Sequence, residues 1–141
     1  MIVYERKVRF EEVDAARILF FARFLNIAHE AMEHFFDGLE GGYSALITKR
    51  EIGLPAVDVH MSFKSPVRYG DTLAVRTSAA RIGKRSAVVR YELMNAEDSR
   101  LCAEVLHTVV STNLITLTSI DLPSDIRAIL EQHLELREPS P

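Results

Sequence analysis

The spacing of hydrophobic positions changes along the chain, and between residues 22 and 37 it has the period of a helix. Apolar side chains recur there at intervals of three and four residues, which predicts a long amphipathic helix. They are Phe24, Ile27, Ala28, Ala31 and Phe35. Weaker patterns predict a short helix over 44–50 and a C-terminal helix over 122–134, with Ser124 as its N-cap.

Most of the remaining hydrophobic positions alternate with polar ones, which is the period of a half-buried strand. We expect strands over 3–11, 57–64, from 73 onwards, around 87–89 and over 101–112. The last segment is apolar on both faces, so it should be a central strand that is covered on both sides.

The order of these elements is a strand, a long helix and then four strands joined by tight turns. This order predicts an α+β fold in which one long central helix is wrapped by a curled antiparallel sheet of about five strands. We expect one domain over 1–136 and a polar tail over 137–141. Neither a secretory signal nor an apolar run of about 18 residues is found, so no membrane segment is expected.

The composition is that of a globular protein, with 48% hydrophobic and 26% charged residues. The single cysteine, Cys102, excludes an internal disulfide and is typical of a reducing compartment, so we expect a cytoplasmic protein. Because Cys102 lies in the most apolar predicted strand, it is interpreted as a core residue and not as a nucleophile.

The net charge of −3 argues against a nucleic-acid partner, but the charges are unevenly distributed. Residues 64–90 contain seven basic residues and one acidic residue, a balance of +6. This block has two interpretations: solvated strand positions, or a site for an anionic ligand such as a phosphate.

No phosphate-binding loop, dinucleotide fingerprint or serine-hydrolase elbow is found, so no cofactor is expected. His29 and His34 come near to a zinc motif, but they are about 140° apart around a helix, so no metal site is expected. We predict instead two ion pairs along the helix surface, His29–Glu33 and Glu30–His34.

Asp14 precedes the long helix and has two interpretations. It is either a turn or capping residue, or a catalytic carboxylate. In the second case, unpaired N–H groups at the helix start could polarise a carbonyl oxygen while the carboxylate attacks the carbonyl carbon or activates water.

The segment 13–24, VDAARILFFARF, resembles the signature of the hot-dog-fold acyl-CoA thioesterases of the 4-hydroxybenzoyl-CoA type. The similarity extends over roughly residues 4–112 and includes Leu54-Pro55 and Gly70-Asp71. Phe21, His29-Glu30-Ala31 and Leu54-Pro55 are most similar to the 1,4-dihydroxy-2-naphthoyl-CoA thioesterase branch.

The resemblance implies a hot-dog fold and hydrolysis of an acyl-CoA thioester to a free acid and coenzyme A. Asp14 matches the catalytic carboxylate, and Phe21 matches the residue whose backbone N–H binds the thioester oxygen. Lys84 and Arg85 match basic hairpin residues that contact the phosphates of coenzyme A. The family also implies a homodimer or homotetramer with its active sites at subunit interfaces.

Three further residues are assigned to the substrate pocket: Arg17, Phe24 and His60, the last of which is equally interpretable as a core histidine. Arg17 stands where the family usually has glycine, so we expect a different loop or a new anion contact. An aromatic acyl group is expected. Two alternatives stay open: a thioesterase for acyl-carrier proteins, and a non-catalytic acyl-CoA-binding module, which Arg17 favours.

Overall fold

The computed structural model describes residues 1–136, and the expected polar tail over 137–141 lies outside the described residues. The helices are α1 (Arg23–Phe35), α2 (Gly42–Thr48) and α3 (Ser124–Gln132), and a single 3-10 turn spans Phe10–Glu12. The strands are β1 (Ile2–Lys7), β2 (Ile52–Gly53), β3 (Ala56–Phe63), β4 (Thr72–Ile82), β5 (Ser86–Asn95), β6 (Leu101–Val110), β7 (Thr112–Asn113) and β8 (Thr118–Ser119).

Five strands form one antiparallel sheet in the order β1-β4-β5-β6-β3, and α1 packs on its inner face. The predicted α+β architecture is confirmed. In β4 and β5, buried and half-buried residues alternate, as expected when only one face of a sheet packs on a helix. A small second sheet, β2-β7-β8, has no counterpart in the hydrophobic pattern because each of its strands has only two residues.

The core lies between α1 and the central strands. Ile27 and Phe35 of α1 are fully buried and face the same layer as Val75 and Leu93 of the sheet. Burial of each side chain of this size contributes about 1.5–3 kcal/mol relative to exposure. Cys102 belongs to this core as predicted, and burial raises the pKa of its thiol.

Three local expectations are wrong. The first strand ends at Lys7 and not at residue 11, because the chain turns there into the 3-10 turn. Helix α3 already begins at Ser124, so its N-cap is Pro123 and the Ser124 side chain does not cap it. Strand β6 is an interior strand but not the central one, and its outer side chains Leu106 and Val110 are only half-buried.

A buried ion cluster joins β1, the 3-10 turn and α1. The Arg6 guanidinium donates to both carboxylate oxygens of Glu12 and, through Nε at 2.8 Å, to Glu30. Tyr4 also donates to Glu30, at 2.9 Å. The expected Glu30–His34 pair is therefore not formed, since Glu30 points to Arg6, whereas the expected His29–Glu33 pair is present at 3.4 Å.

This cluster holds the start of the loop that contains Asp14. Glu12 is buried, and its backbone carbonyl accepts a hydrogen bond from the N–H of Phe20 at 3.0 Å. The two ends of the segment 12–20 are thereby joined to each other, and Glu12 connects them through Arg6 to Glu30 in the middle of α1.

Candidate active site

Asp14 lies in a tight, exposed loop whose two sides are bridged by Val13 and Leu19. Its backbone N–H donates to the carbonyl of Ile18, and its Oδ1 accepts the N–H of Ala16 at 2.8 Å. The Asp14 carboxylate thus stabilises its own turn through one oxygen. Its Oδ2 has no partner among residues 1–136, which leaves that oxygen available to a ligand.

Arg17 adopts the left-handed backbone conformation that glycine would take, with φ of 64°. This is a conformation that glycine adopts without strain, so Arg17 takes here a backbone geometry of the kind that the usual glycine favours. Its N–H donates to the Asp14 carbonyl and its own carbonyl accepts the N–H of Tyr69, so the turn is held on both sides. A left-handed non-glycine residue costs on the order of 1 kcal/mol, which the surrounding hydrogen bonds must offset.

The Arg17 side chain is exposed and lines a cavity of about 470 Å³ together with Ile18 and Arg68. Neither guanidinium has a carboxylate partner within residues 1–136. The two arginines therefore give the outer side of the Asp14 loop a positive potential.

Phe21 lies two residues before α1, next to its N-cap Ala22. The N–H groups of Arg23 and Phe24 are satisfied by the carbonyls of Phe20 and Phe21, respectively. Within the described part of the chain the Phe21 N–H donates no hydrogen bond. The positive end of the α1 dipole adds to its ability to stabilise a negative oxygen.

An apolar cavity of about 340 Å³ lies beside this N–H group. Phe21 and Phe24 line it from the helix start, and Phe63 from the end of β3, where its ring meets Phe24 edge to face at 5.2 Å. Lys64 lies at its edge. Asp14 itself does not line this cavity, but Ile18, whose carbonyl accepts the Asp14 N–H, does.

Of the predicted pocket residues, Phe24 lies in this cavity, but Arg17 and His60 do not. Arg17 lines the neighbouring cavity. His60 lies on the outer face of β3, is 76% exposed and faces Asp58 at 3.2 Å. The alternation of side chains along β3 explains this position. Val59 and Phe63 line cavities beside α1, so His60, which is an odd number of residues from each, points to the opposite face.

Lys84 and Arg85 form the tip of the β4–β5 hairpin, at the opposite end of the sheet from Asp14. The Asp14 loop contacts residues 67–69, just before β4 begins, whereas the hairpin follows its last residue. An eleven-residue strand is about 33 Å long. The structure therefore does not bring Lys84 and Arg85 together with Asp14 in one chain.

The basic block is also partly neutralised by the acidic C-terminal region. Arg85 pairs with Asp121 at 3.1 Å, and Arg90 pairs with Glu104 and Glu135 at 2.7 and 2.9 Å. Basic residues of the segment 64–90 are thus partly neutralised by acidic residues from later segments of the chain.

Two features of this region do not follow from the sequence pattern. Phe63 lines the cavity because β3 ends beside the start of α1. In the sequence, the only sign of this role is that Phe63 lies on the apolar face of a predicted strand. The Arg6–Glu12–Glu30 cluster has no motif, since its members come from three separate elements.

Among residues 1–136, no group of three or more metal-ligating side chains could hold a metal ion. In the same range, no helix is long and apolar enough to cross a membrane.

The long helix packs on a five-stranded antiparallel sheet, with an aspartate loop before it and, near the helix start, an N–H group that has no partner among residues 1–136. This arrangement defines a hot-dog protein. The family model described as the thioesterase-like superfamily matches residues 8–130. The chain belongs to this superfamily, and it is a thioester hydrolase.

Relatives and solved structures agree with this assignment. A 1,4-dihydroxy-2-naphthoyl-CoA hydrolase from Nostoc punctiforme is 29% identical over 128 residues, covering 91% of this chain and 85% of that protein. A thioesterase-superfamily structure from Jannaschia sp. CCS1 has a TM-score of 0.87 at 27% identity, covering 96% of this chain and 94% of the other. A 1,4-dihydroxy-2-naphthoyl-CoA thioesterase from Synechocystis has a TM-score of 0.83 at 26% identity, covering 91% and 93%.

Proposed function

We propose that this protein hydrolyses an aromatic acyl-CoA thioester to the free acid and coenzyme A. The observation that carries the proposal is that, within residues 1–136, one Asp14 carboxylate oxygen and the Phe21 N–H both lack partners, and that Phe21 lines an apolar cavity. The names of the relatives from Nostoc punctiforme and Synechocystis support an aromatic acyl group.

In this mechanism the Phe21 N–H donates to the thioester oxygen and stabilises the negative charge that develops there. The Asp14 carboxylate either attacks the carbonyl carbon or removes a proton from an attacking water. If Asp14 activates water, the water oxygen bonds to the carbonyl carbon, the C–S bond breaks, and the proton that Asp14 removed from the water passes to the leaving sulfur. If Asp14 itself attacks, the C–S bond breaks to leave an acyl anhydride on Asp14; water then hydrolyses this anhydride, which frees the acid, regenerates the carboxylate and supplies the proton for the coenzyme A thiol. Phe24 and Phe63 would contact the aromatic ring.

Lys84 and Arg85 would bind the phosphates of a coenzyme A whose acyl group lies at the Asp14 loop of another subunit. The separation of about 33 Å along β4 makes a contribution from a second copy necessary. Strand β3 is a suitable contact surface, because it is a sheet edge with exposed apolar side chains, among them Val57 and Val59. We therefore propose a homodimer or homotetramer, which light scattering of the purified protein would reveal.

A thiol-release assay over aromatic, short-chain and long-chain acyl-CoA substrates tests the activity, with the same acyl groups on a carrier protein as a second arm. Thiol release from free aromatic acyl-CoA is expected. Release only from the carrier-bound substrates would assign the chain to the acyl-carrier thioesterases. Binding of acyl-CoA with no release from any substrate would mean a non-catalytic module.

The role of Asp14 is tested by Asp14→Asn, which retains a side-chain oxygen to accept the Ala16 N–H but removes the charge. We expect kcat to fall about 10²-fold or more. Asp71→Asn is a matched control, because the Asp71 carboxylate, like that of Asp14, accepts a backbone N–H of its own turn, here that of Arg68. Hydrolysis by Asp14→Asn within about threefold of the wild type would refute the role.

A further inference from the structure

A second, smaller cavity lies between α1 and the inner face of the sheet. Its volume is about 140 Å³. Apolar side chains from α1, β3 and β6 form most of its wall, whereas its polar lining consists of histidine and tyrosine side chains. The apolar residues are Leu25, Ala28, Val59 and Val105, and the polar ones are His29, Tyr91 and His107.

Tyr91 and His107 form a hydrogen-bonded pair in this cavity. The Tyr91 hydroxyl lies 3.2 Å from Nδ1 of His107, and the tyrosine side chain is only 1% exposed. Burial raises the pKa of Tyr91 and, together with nearby His29, lowers the pKa of His107. Both groups are therefore neutral near pH 7.

Because both groups are neutral, the hydrogen bonds that the pair still has to offer can be counted. If Tyr91 donates to Nδ1, then Nε2 of His107 carries the remaining N–H and the tyrosine oxygen can accept. If Nδ1–H donates instead, the tyrosine O–H can donate and Nε2 can accept. In either arrangement the pair presents one donor and one acceptor, and residues 1–136 supply no further partner for either.

This cavity is the next one along α1 from the candidate active site. Phe24 lines the first cavity, and Ala28, one helical turn or about 6 Å further along, lines the second. On β3 the same succession is seen, with Phe63 in the first cavity and Val59 in the second. An acyl group whose thioester lies at the Phe21 N–H would therefore extend towards Tyr91 and His107.

We propose that Tyr91 and His107 bind a hydroxyl substituent on the acyl group and so select hydroxylated aromatic acyl-CoA substrates. A hydroxyl is itself one donor and one acceptor, which matches what the pair presents. This inference rests on the proposed thioesterase function and adds a specificity-determining role for two residues that have no part in the thioester chemistry.

The physical basis of the selection is the cost of leaving buried polar groups unpaired. An unsubstituted ring that fills the cavity displaces water from the pair and satisfies neither the donor nor the acceptor. A hydroxylated ring of the same shape restores both hydrogen bonds. We therefore expect the wild-type kcat/KM to be at least tenfold higher for 1,4-dihydroxy-2-naphthoyl-CoA than for 2-naphthoyl-CoA.

The test compares these two substrates in wild-type protein and in Tyr91→Phe. The variant should lose about tenfold in kcat/KM on the hydroxylated substrate and change less than twofold on the unsubstituted one, so the preference largely disappears. Tyr43→Phe is the matched control, because Tyr43 is a half-buried tyrosine that does not line the cavity. His107→Gln, which retains polar side-chain atoms, should show a smaller loss of preference, and it replaces Tyr91→Phe if that variant does not fold.

An unchanged ratio between the two substrates in the folded Tyr91→Phe or His107→Gln variants would overturn the inference while leaving the thioesterase function intact. An equal loss on both substrates would also overturn it, since that outcome is expected of a purely structural role. If wild-type protein releases no thiol from either substrate, the proposed function fails first, and the inference fails with it.

Discussion

The two ends of the five-stranded sheet are held in different ways. At the Asp14 end, the Arg6 cluster is buried, with Arg6 and Glu12 side chains only 8% and 5% exposed. At the hairpin end, Arg85 and Asp121 are 53% and 58% exposed. A buried pair fixes its surroundings because breaking it leaves a charge without a partner, whereas an exposed pair exchanges freely with water.

This difference suits different tasks. A carboxylate and an N–H group that act on one carbonyl must be held in a fixed geometry. Side chains that bind the phosphates of a flexible ligand do not need a fixed geometry, because a long, positively charged side chain can follow the phosphate. We therefore expect large effects from substitutions at the Asp14 end and small, salt-dependent effects from substitutions at the hairpin.

The largest effect is expected for Phe21→Pro, which removes the N–H group at the start of α1. Phe21 is the second residue of the turn that the Arg23 N–H closes on the Phe20 carbonyl, a position that favours proline, so the fold should persist. We expect kcat to fall by roughly 10²–10³ because the thioester oxygen loses its donor. Phe21→Leu retains the N–H and should stay within about fivefold of the wild type. Equal activities of the two variants, each checked by circular dichroism, would exclude the Phe21 N–H as a donor.

The next largest effect concerns the stability of the two ion pairs. Glu12→Gln should lower the free energy of unfolding by roughly 2 kcal/mol, because it weakens a buried, charge-assisted interaction with Arg6. Asp121→Asn, at the exposed pair, should change it by less than about 1 kcal/mol. Urea denaturation of both variants measures the difference. Similar values for the two would remove the distinction between the ends.

The buried cluster also predicts a dependence of stability on pH. Hydrogen bonds from Arg6 hold the pKa of Glu12 and of Glu30 below the ordinary value of 4.5. A lowered pKa in the folded state stabilises the protein above about pH 4.5, and this contribution is lost as the pH falls through the folded-state values. Thermal melts between pH 7 and pH 3 should therefore show a smaller acid-induced decrease in Tm for Glu12→Gln than for the wild type.

At the hairpin end, the double variant Lys84→Ala with Arg85→Ala should raise KM several-fold at low salt and leave kcat unchanged. The increase should shrink as salt is added, because screening already weakens these contacts in the wild type. An unchanged KM at low salt would show that the hairpin does not bind the substrate. If the two ends meet across subunits, a mixed oligomer of this variant and Asp14→Asn contains a site with an intact Asp14 from one chain and an intact hairpin from the other. Mixing the two variants should then restore activity with a low KM.

The smallest effect is expected for Arg17→Gly. Glycine adopts the left-handed conformation without strain but is more flexible in the unfolded state, so a net stabilisation of about 0.5 kcal/mol is expected. Arg17→Ala, which keeps the strain and removes the guanidinium, is the control. A rise in KM shared by both variants would show that the arginine binds an anionic part of the substrate.

Much of the fold could be predicted because apolar residues recur at regular intervals along the helix and the main strands. The three- and four-residue spacing from Phe24 to Phe35 locates α1 to within two residues, and strict alternation locates β3. The short strands β2, β7 and β8 could not be predicted, because two residues define no period. The end of β1 at Lys7 could not be predicted either, because the alternation of apolar and polar residues continues into the 3-10 turn at Phe10–Glu12.

The sequence by itself determined the α+β class, the long helix with Asp14 and Phe21 before it, and the family, because these depend on local order along the chain. Only the tertiary structure decided which residues are neighbours. It placed His60 on the outer face and Lys84 and Arg85 at the far end of β4, and it brought Tyr91 and His107 together beside α1. The physical reason is that sheet register, helix packing and buried ion pairs join segments that are far apart in the sequence.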